Sequence, residues 1–155
     1  LQSKGSRLLA KELREKGIAA KDIEEALKEY SSEEQLANAI RFALKKQKQL
    51  QKESNTMVKQ KITQQLRQKG FEDHIVETAL NELPAKTEEE EWEAIALYAN
   101  KAHNRYHKYS GYEYEQRMKQ YLYRKGFPFP LIERFLHVQK EDGKEAYNWK
   151  NDSAK

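Results

Sequence analysis

Cysteine is absent from this 155-residue chain. That excludes disulfides, thiolate metal sites and a cysteine nucleophile, and it agrees with a reducing compartment. Proline occurs three times and glycine six times, so helix is the expected state of most residues. No apolar run approaches the roughly 18–20 residues of a membrane-spanning helix, and no signal peptide is visible, so a cytoplasmic location is expected. The first residue is Leu1 rather than Met, so an upstream targeting segment or domain would leave no trace. Also missing are a glycine-rich phosphate loop and any paired-carboxylate constellation that helical periodicity does not already explain. Neither an enzymatic activity nor a cofactor is expected.

Leu, Ala, Glu, Lys, Gln and Arg dominate, and all are good helix formers. Hydrophobic residues make up only 37% of the chain. That suits an array of small helical units, each exposing much surface per buried residue, better than one large globule. The net charge of +4 conceals a strong alternation. Lys45 to Lys69 holds eight cations against Glu53 alone, Glu72 to Glu93 holds nine acids against Lys86 alone, and Lys101 to Lys125 holds seven cations against Glu113 and Glu115. Such blocks create local fields that the net charge hides.

A repeat underlies the chain. Leu13-Arg14-Glu15-Lys16-Gly17-Ile18, Leu66-Arg67-Gln68-Lys69-Gly70-Phe71 and Leu122-Tyr123-Arg124-Lys125-Gly126-Phe127 share one pattern. Their glycines stand 53 and 56 residues apart. Before each glycine come Leu9 and Leu13, Ile62 and Leu66, or Met118 and Leu122; after it come Ile23 and Leu27, Val76 and Leu80, or Ile132 and Leu136. Spacing of i, i+4 on both sides predicts two amphipathic helices joined at the glycine. Lys-Gly before a large apolar residue predicts a Schellman stop: glycine takes the left-handed position, and the next side chain folds back on the leucine five residues earlier. Asp73 is the expected N-cap of the following helix in the second unit, and Pro130 stands near N1 in the third.

A longer helix follows each of the first two pairs. Ser31 to Glu34 and Thr87 to Glu90 fit capping boxes, and Leu36, Ala39, Ile40 and Ala43 align with Trp92, Ile95, Ala96 and Ala99. The expected fold is all-α, a tandem array of three three-helix repeats forming an elongated, curved molecule. The boundaries are 1–54, 55–112 and 113–155. In the third repeat Gly143 interrupts the tract, Ala146, Tyr147 and Trp149 offer a short last helix, and Asn151 to Lys155 is read as frayed.

These repeats resemble the RecX regulatory proteins of bacterial recombination. The matching stretches run from Lys4-Gly5-Ser6-Arg7 to Lys16-Gly17-Ile18, from Lys59-Gln60-Lys61-Ile62 to Lys69-Gly70-Phe71, and from Lys119-Gln120-Tyr121-Leu122 to Lys125-Gly126-Phe127. The family's usual proline near Ser6 is absent. The resemblance implies a curved array of three-helix units that modulates the RecA recombinase by binding in or on its nucleoprotein filament, with DNA contacted directly or through the filament.

The basic stretches are the strongest functional signal, because several of their cations lack an acidic residue at i±3 or i±4. Preferred partner-binding or DNA-binding candidates are Lys59, Arg67, Lys69, Arg117, Arg124 and Lys125, with Arg14 and Lys16 at the equivalent places in the first unit. Seven tyrosines from Tyr98 to Tyr123 are read chiefly as packing between units; Tyr109 and Tyr112, beside Gly111, are set apart as loop residues able to stack on bases or anchor a partner. His103 and His107 have chelating spacing, but no third ligand lies nearby on that face, so no metal site is expected. The run Glu88 to Glu91 is explained by its place at a helix start, and Trp92 and Trp149 are read as core and capping residues. The expected function is regulation, most simply inhibition, of recombinase activity by a monomer in DNA recombination and repair. A stand-alone DNA-binding helical module and a helical scaffold for another protein are the alternatives.

Overall fold

A computed structural model describes residues 4–143. Among them are eight helices and no strand: α1 (Ser6–Glu15), α2 (Ala20–Glu29), α3 (Ser32–Gln49), α4 (Asn55–Gln68), α5 (Asp73–Asn81), α6 (Glu88–Tyr106), α7 (Gly111–Arg124) and α8 (Phe129–Gly143). Ala146, Tyr147, Trp149 and the tail from Asn151 lie outside the described residues.

Each repeated glycine ends a helix as its sequence predicts. Gly17, Gly70 and Gly126 have φ of 82°, 87° and 96°, a region that glycine enters without a Cβ penalty. The Ile18 N–H donates to the Leu13 carbonyl at 3.0 Å and the Gly17 N–H to Arg14 at 2.9 Å. The Phe71 N–H reaches Leu66 at 3.1 Å and the Phe127 N–H reaches Leu122 at 3.3 Å, completing the same six-to-one closure. The longer helices begin on their expected caps. The Ser31 hydroxyl accepts from the Glu34 N–H at 3.1 Å. At Thr87 the box is reciprocal: its hydroxyl accepts from Glu90 N–H at 3.1 Å, and its own N–H donates to the Glu90 carboxylate at 3.0 Å. One cap differs from expectation. Glu72, not Asp73, occupies the N-cap of α5, with no side-chain capping bond. Asp73 is instead the first helical residue, and its carboxylate accepts from Arg67 Nε across the turn at 3.1 Å.

The chain divides into two compact units. The first comprises the residues up to Leu50 together with Val58–Ala85. Its core joins Ala39 and Ala43 of α3, Val58, Ile62 and Leu66 of α4, Phe71 of the turn, and Ile75, Val76 and Ala79 of α5. The second comprises Gln51–Met57 and the residues from Lys86 onward. Its core joins Ala94, Ile95, Ala99 and Ala102 of α6, Tyr114, Met118 and Leu122 of α7, Phe127, and Ile132, Phe135 and Leu136 of α8. Fully buried alanines on α3 and α6 let their partner helices approach closely, and the turn phenylalanines fill the space this leaves. The sequence pattern restarts at 55 and 113, whereas each core is shared by a long helix and the glycine-turned pair that follows it. The α1–α2 pair is more lightly packed: α1 buries no residue fully and α2 buries Ile23.

Within each unit, the start of one pair's first helix rests on the glycine turn of the next pair. In the first unit the Gly5 N–H donates to the Lys69 carbonyl at 2.7 Å, and the Arg7 N–H donates to the Gly70 carbonyl at 3.0 Å. Orphan donors of one helix start thereby satisfy orphan acceptors of another helix end. Tyr30 secures this crossing: its hydroxyl donates to the Lys4 carbonyl and accepts from the Asn38 amide, both at 2.8 Å. In the second unit the fully buried Ser54 does the same work with its side chain, donating to the Lys125 carbonyl at 2.7 Å and accepting from the Met57 N–H at 3.2 Å. Ser54→Ala removes both bonds and leaves the carbonyl without this partner. A loss of about 1–2 kcal/mol of stability is expected, measured by urea unfolding.

Candidate functional site

Helix α4, Asn55–Gln68, carries no carboxylate. Its apolar side is taken by Val58, Ile62 and Leu66, which leaves Lys59, Gln60, Gln64, Arg67 and Gln68 exposed. Lys59, Gln60, Thr63, Gln64, Arg67 and Gln68 line a shallow cleft of about 600 Å³. Nearly every side chain there is a hydrogen-bond donor, and the two ionised ones are cations. Lys59 is exposed and makes no ion pair among the described residues. Arg67 is held by Asp73 at 3.1 Å, an exposed pair of little energetic weight that water or an anion can displace. Lys69 leaves the cleft: its ammonium sits 5.0 Å from the centroid of the Phe42 ring, with Lys46 at 5.7 Å. Arg14 and Lys16 are exposed at the lightly packed end of α1.

In the second unit, Arg117 is engaged twice, by Glu113 at 3.1 Å and by the Tyr109 ring 4.1 Å from its guanidinium carbon. Arg124 is exposed and makes no ion pair among the described residues. Lys125 is half-buried, its ammonium 5.6 Å from the Tyr98 centroid and 5.4 Å from that of Tyr121. Tyr109 and Tyr112 line one cleft of about 460 Å³ with His103, Tyr114 and Lys140. Tyr112 is 78% exposed, but Tyr109 lies beneath Arg117. His103 is committed to the core: it is buried, and its Nδ1 lies 2.6 Å from the Tyr114 hydroxyl. Trp92 packs on Phe135 with centroids 5.0 Å apart.

The structure therefore brings together Lys59 with Arg67, and Tyr109 with Tyr112 and Arg117. It ties Lys69 and Lys125 to neighbouring rings within their own units. Two features escaped the sequence pattern. One is the Gln and Thr content of the α4 face, legible only once the helix phase is fixed. The other is a stack of Tyr123 on Phe129, three residues before and three after Gly126.

Electrostatics at the base of α6 is unusual. Tyr98 donates to the Glu53 carboxylate at 2.7 Å, and Lys86 donates to the Glu53 carbonyl. Burial first, and the bond to Glu53 second, push the Tyr98 hydroxyl up to about 12. Burial also raises Glu91 and lowers Lys86. Below an unfolded-state value near 10, Tyr98 is protonated in both states and adds no pH dependence. Between about 10 and 12 the unfolded chain sheds a proton that the folded chain keeps, so stability falls as pH rises. Lys86 acts in the opposite sense, so a comparison of variants is needed: Tyr98→Phe should fall less steeply than the parent over that window in melting temperature against pH.

Comparison with known proteins places this architecture. The model of the third three-helix domain of RecX matches twice, at residues 33–80 and 88–136. Those spans hold α3–α5 and α6–α8, the two helix groups that share a core. A protein named Regulatory protein RecX from Geobacillus sp. (strain WCH70) is 43% identical over 142 residues, which cover 92% of this chain and 52% of that protein. Its namesake from Bacillus cereus (strain AH820) is 38% identical over 141 residues, covering 90% of this chain and 52% of its own. The chain thus spans about half the length of the curated relatives it matches. No solved structure matches. With its glycine-turned helix pairs, its two family-matched cores and these relatives, the chain belongs to the RecX family.

Proposed function

We propose that this chain is a RecX-type regulator that binds the RecA–DNA nucleoprotein filament and restrains the recombinase. The observation that supports this most is the acid-free outer face of α4 in a member of this family. A helix face of lysine, arginine, glutamine and threonine meets phosphate oxygens with charge and hydrogen bonds, without requiring a base sequence. The same face suits an acidic protein groove. Lys59 and Arg67 approach the partner first, Arg14 and Lys16 add charge at the start of the chain, and Arg124 does so on α7. A regulator that occupies filament phosphates or the groove between protomers competes with strand exchange and filament growth. The test is recombinase ATPase and strand exchange on single-stranded DNA with the chain titrated in. Inhibition near stoichiometric amounts, weakening steeply with salt, is the expected result. No effect at a several-fold excess removes the reading.

A further inference from the structure

Tyr123 and Phe129 form a parallel stack, with centroids 4.6 Å apart and planes inclined by 13°. Tyr123 is 54% exposed and Phe129 47%. Half-exposed rings of this size forgo much of the free energy their burial would provide. The repeat shows that the fold does not need them. The equivalent positions around Gly70 are Arg67 and Asp73, which bridge the turn by an ion pair at 3.1 Å. Around Gly17 they are Arg14 and Ala20, and that turn keeps its Schellman bonds. A polar bridge or none serves the same turn, so the aromatic choice at the third turn calls for another cause.

The surroundings indicate what the rings meet. From Gln116 to Ile132 the chain carries Arg117, Lys119, Arg124 and Lys125 and no acidic residue. Lys119 lies one helical turn before Tyr123 on the same face of α7, and exposed Arg124 follows it directly. Phe129 stands between Pro128 and Pro130, whose fixed φ angles hold the backbone and lower the entropy lost when the ring takes a partner. Flat, parallel, half-exposed rings with Lys119 and Arg124 nearby in the chain match a nucleobase on its phosphate backbone.

We propose that the Tyr123–Phe129 pair is a base-stacking platform for single-stranded nucleic acid, with Lys119 and Arg124 holding the adjoining phosphates. The proposal rests on the filament reading for its setting, and it adds the group contacted: an unstacked base rather than phosphate alone.

The experiment compares a fluorescein-labelled oligothymidylate with an abasic oligonucleotide of equal length and charge, by anisotropy with the full chain. Binding about tenfold tighter to the oligothymidylate is expected, a ratio that salt leaves unchanged while both affinities fall. Tyr123→Arg with Phe129→Asp installs the ion pair of the second repeat, keeps the turn bridged and removes both rings. This double variant should bind the two oligonucleotides equally, at the parent's abasic affinity. Equal parental affinities, absence of oligonucleotide binding, or a base preference that survives the double variant overturns the proposal. So does a variant that loses recombinase inhibition while keeping its base preference, since the rings would then contact protein. Base preference without any effect on the recombinase supports the platform while removing the filament reading, so the two can fail separately.

Discussion

Gly70→Ala is expected to cost several times more stability than Gly17→Ala, although both replace a left-handed glycine in the same turn. With φ of +82° and +87°, the two share the intrinsic strain of an alanine in that region, about 1–2 kcal/mol. At Gly17 nothing lies within 4 Å of an added Cβ, so the strain is the whole cost. At Gly70 the methyl would stand 2.2 Å from the Leu8 nitrogen and 2.5 Å from its Cβ. Backbone cannot yield like the end of a lysine. The start of α1 must lift off the turn, breaking the Gly5–Lys69 and Arg7–Gly70 bonds. A total of about 4 kcal/mol is expected, a large share of a typical domain's stability. Gly5→Ala isolates the steric part: its φ of −85° suits any residue, yet its Cβ would lie 2.2 Å from the Phe71 nitrogen. Urea unfolding followed by circular dichroism should rank Gly17→Ala mildest, with Gly5→Ala and Gly70→Ala both severe. Equal losses at Gly17 and Gly70 would mean that the crossing is not tightly packed.

The second large effect concerns charge. Arg14, Lys59 and Arg124 are exposed and make no ion pair among the described residues, whereas Arg67 and Arg117 are held by Asp73 and Glu113. A cation already paired must release its carboxylate before it neutralises a phosphate. The triple change of Arg14, Lys59 and Arg124 to glutamine is therefore expected to flatten the slope of log affinity against log salt by about 2 on single-stranded DNA. At physiological salt that corresponds to a loss on the order of 50-fold. Changing Arg67 and Arg117 together should flatten the slope by less than 1, because part of the charge is already spent. Anisotropy titrations at four or more salt concentrations measure both. Indistinguishable slopes for the two variants would show that the ion pairs, not the free cations, mark the binding surface.

Much of the fold was legible in the residues because its signals are local. A Schellman stop is written in six consecutive residues, and Leu13 to Ile18, Leu66 to Phe71 and Leu122 to Phe127 each contain a whole one. The caps at Ser31 and Thr87 are written in four. Asp73 shows where local reading fails. Glu72 holds the N-cap instead, and Asp73, one step into the helix, places its carboxylate on Arg67 of the preceding helix. The binding candidates fared similarly. Cations could be counted in the sequence, but Lys69 lies against Phe42, Lys125 against two tyrosines and Arg117 against Tyr109. The Lys69–Phe42 and Lys125–Tyr98 contacts join residues separated by a helix or more, and no local pattern announces them.

By itself, the sequence determined that three helix pairs would turn on Gly17, Gly70 and Gly126, and that two capped longer helices would separate them. Tertiary structure decided which pair each long helix would serve. An apolar stripe such as Leu36, Ala39, Ile40 and Ala43 states that a face must be buried, not against what, and the pairs before and after it offer similar stripes. For α3, side-chain size separates the two pairs: its fully buried Ala39 and Ala43 share a core with Phe71 of the pair that follows, whereas Ile18 of the pair before it, smaller and 41% exposed, closes no such core.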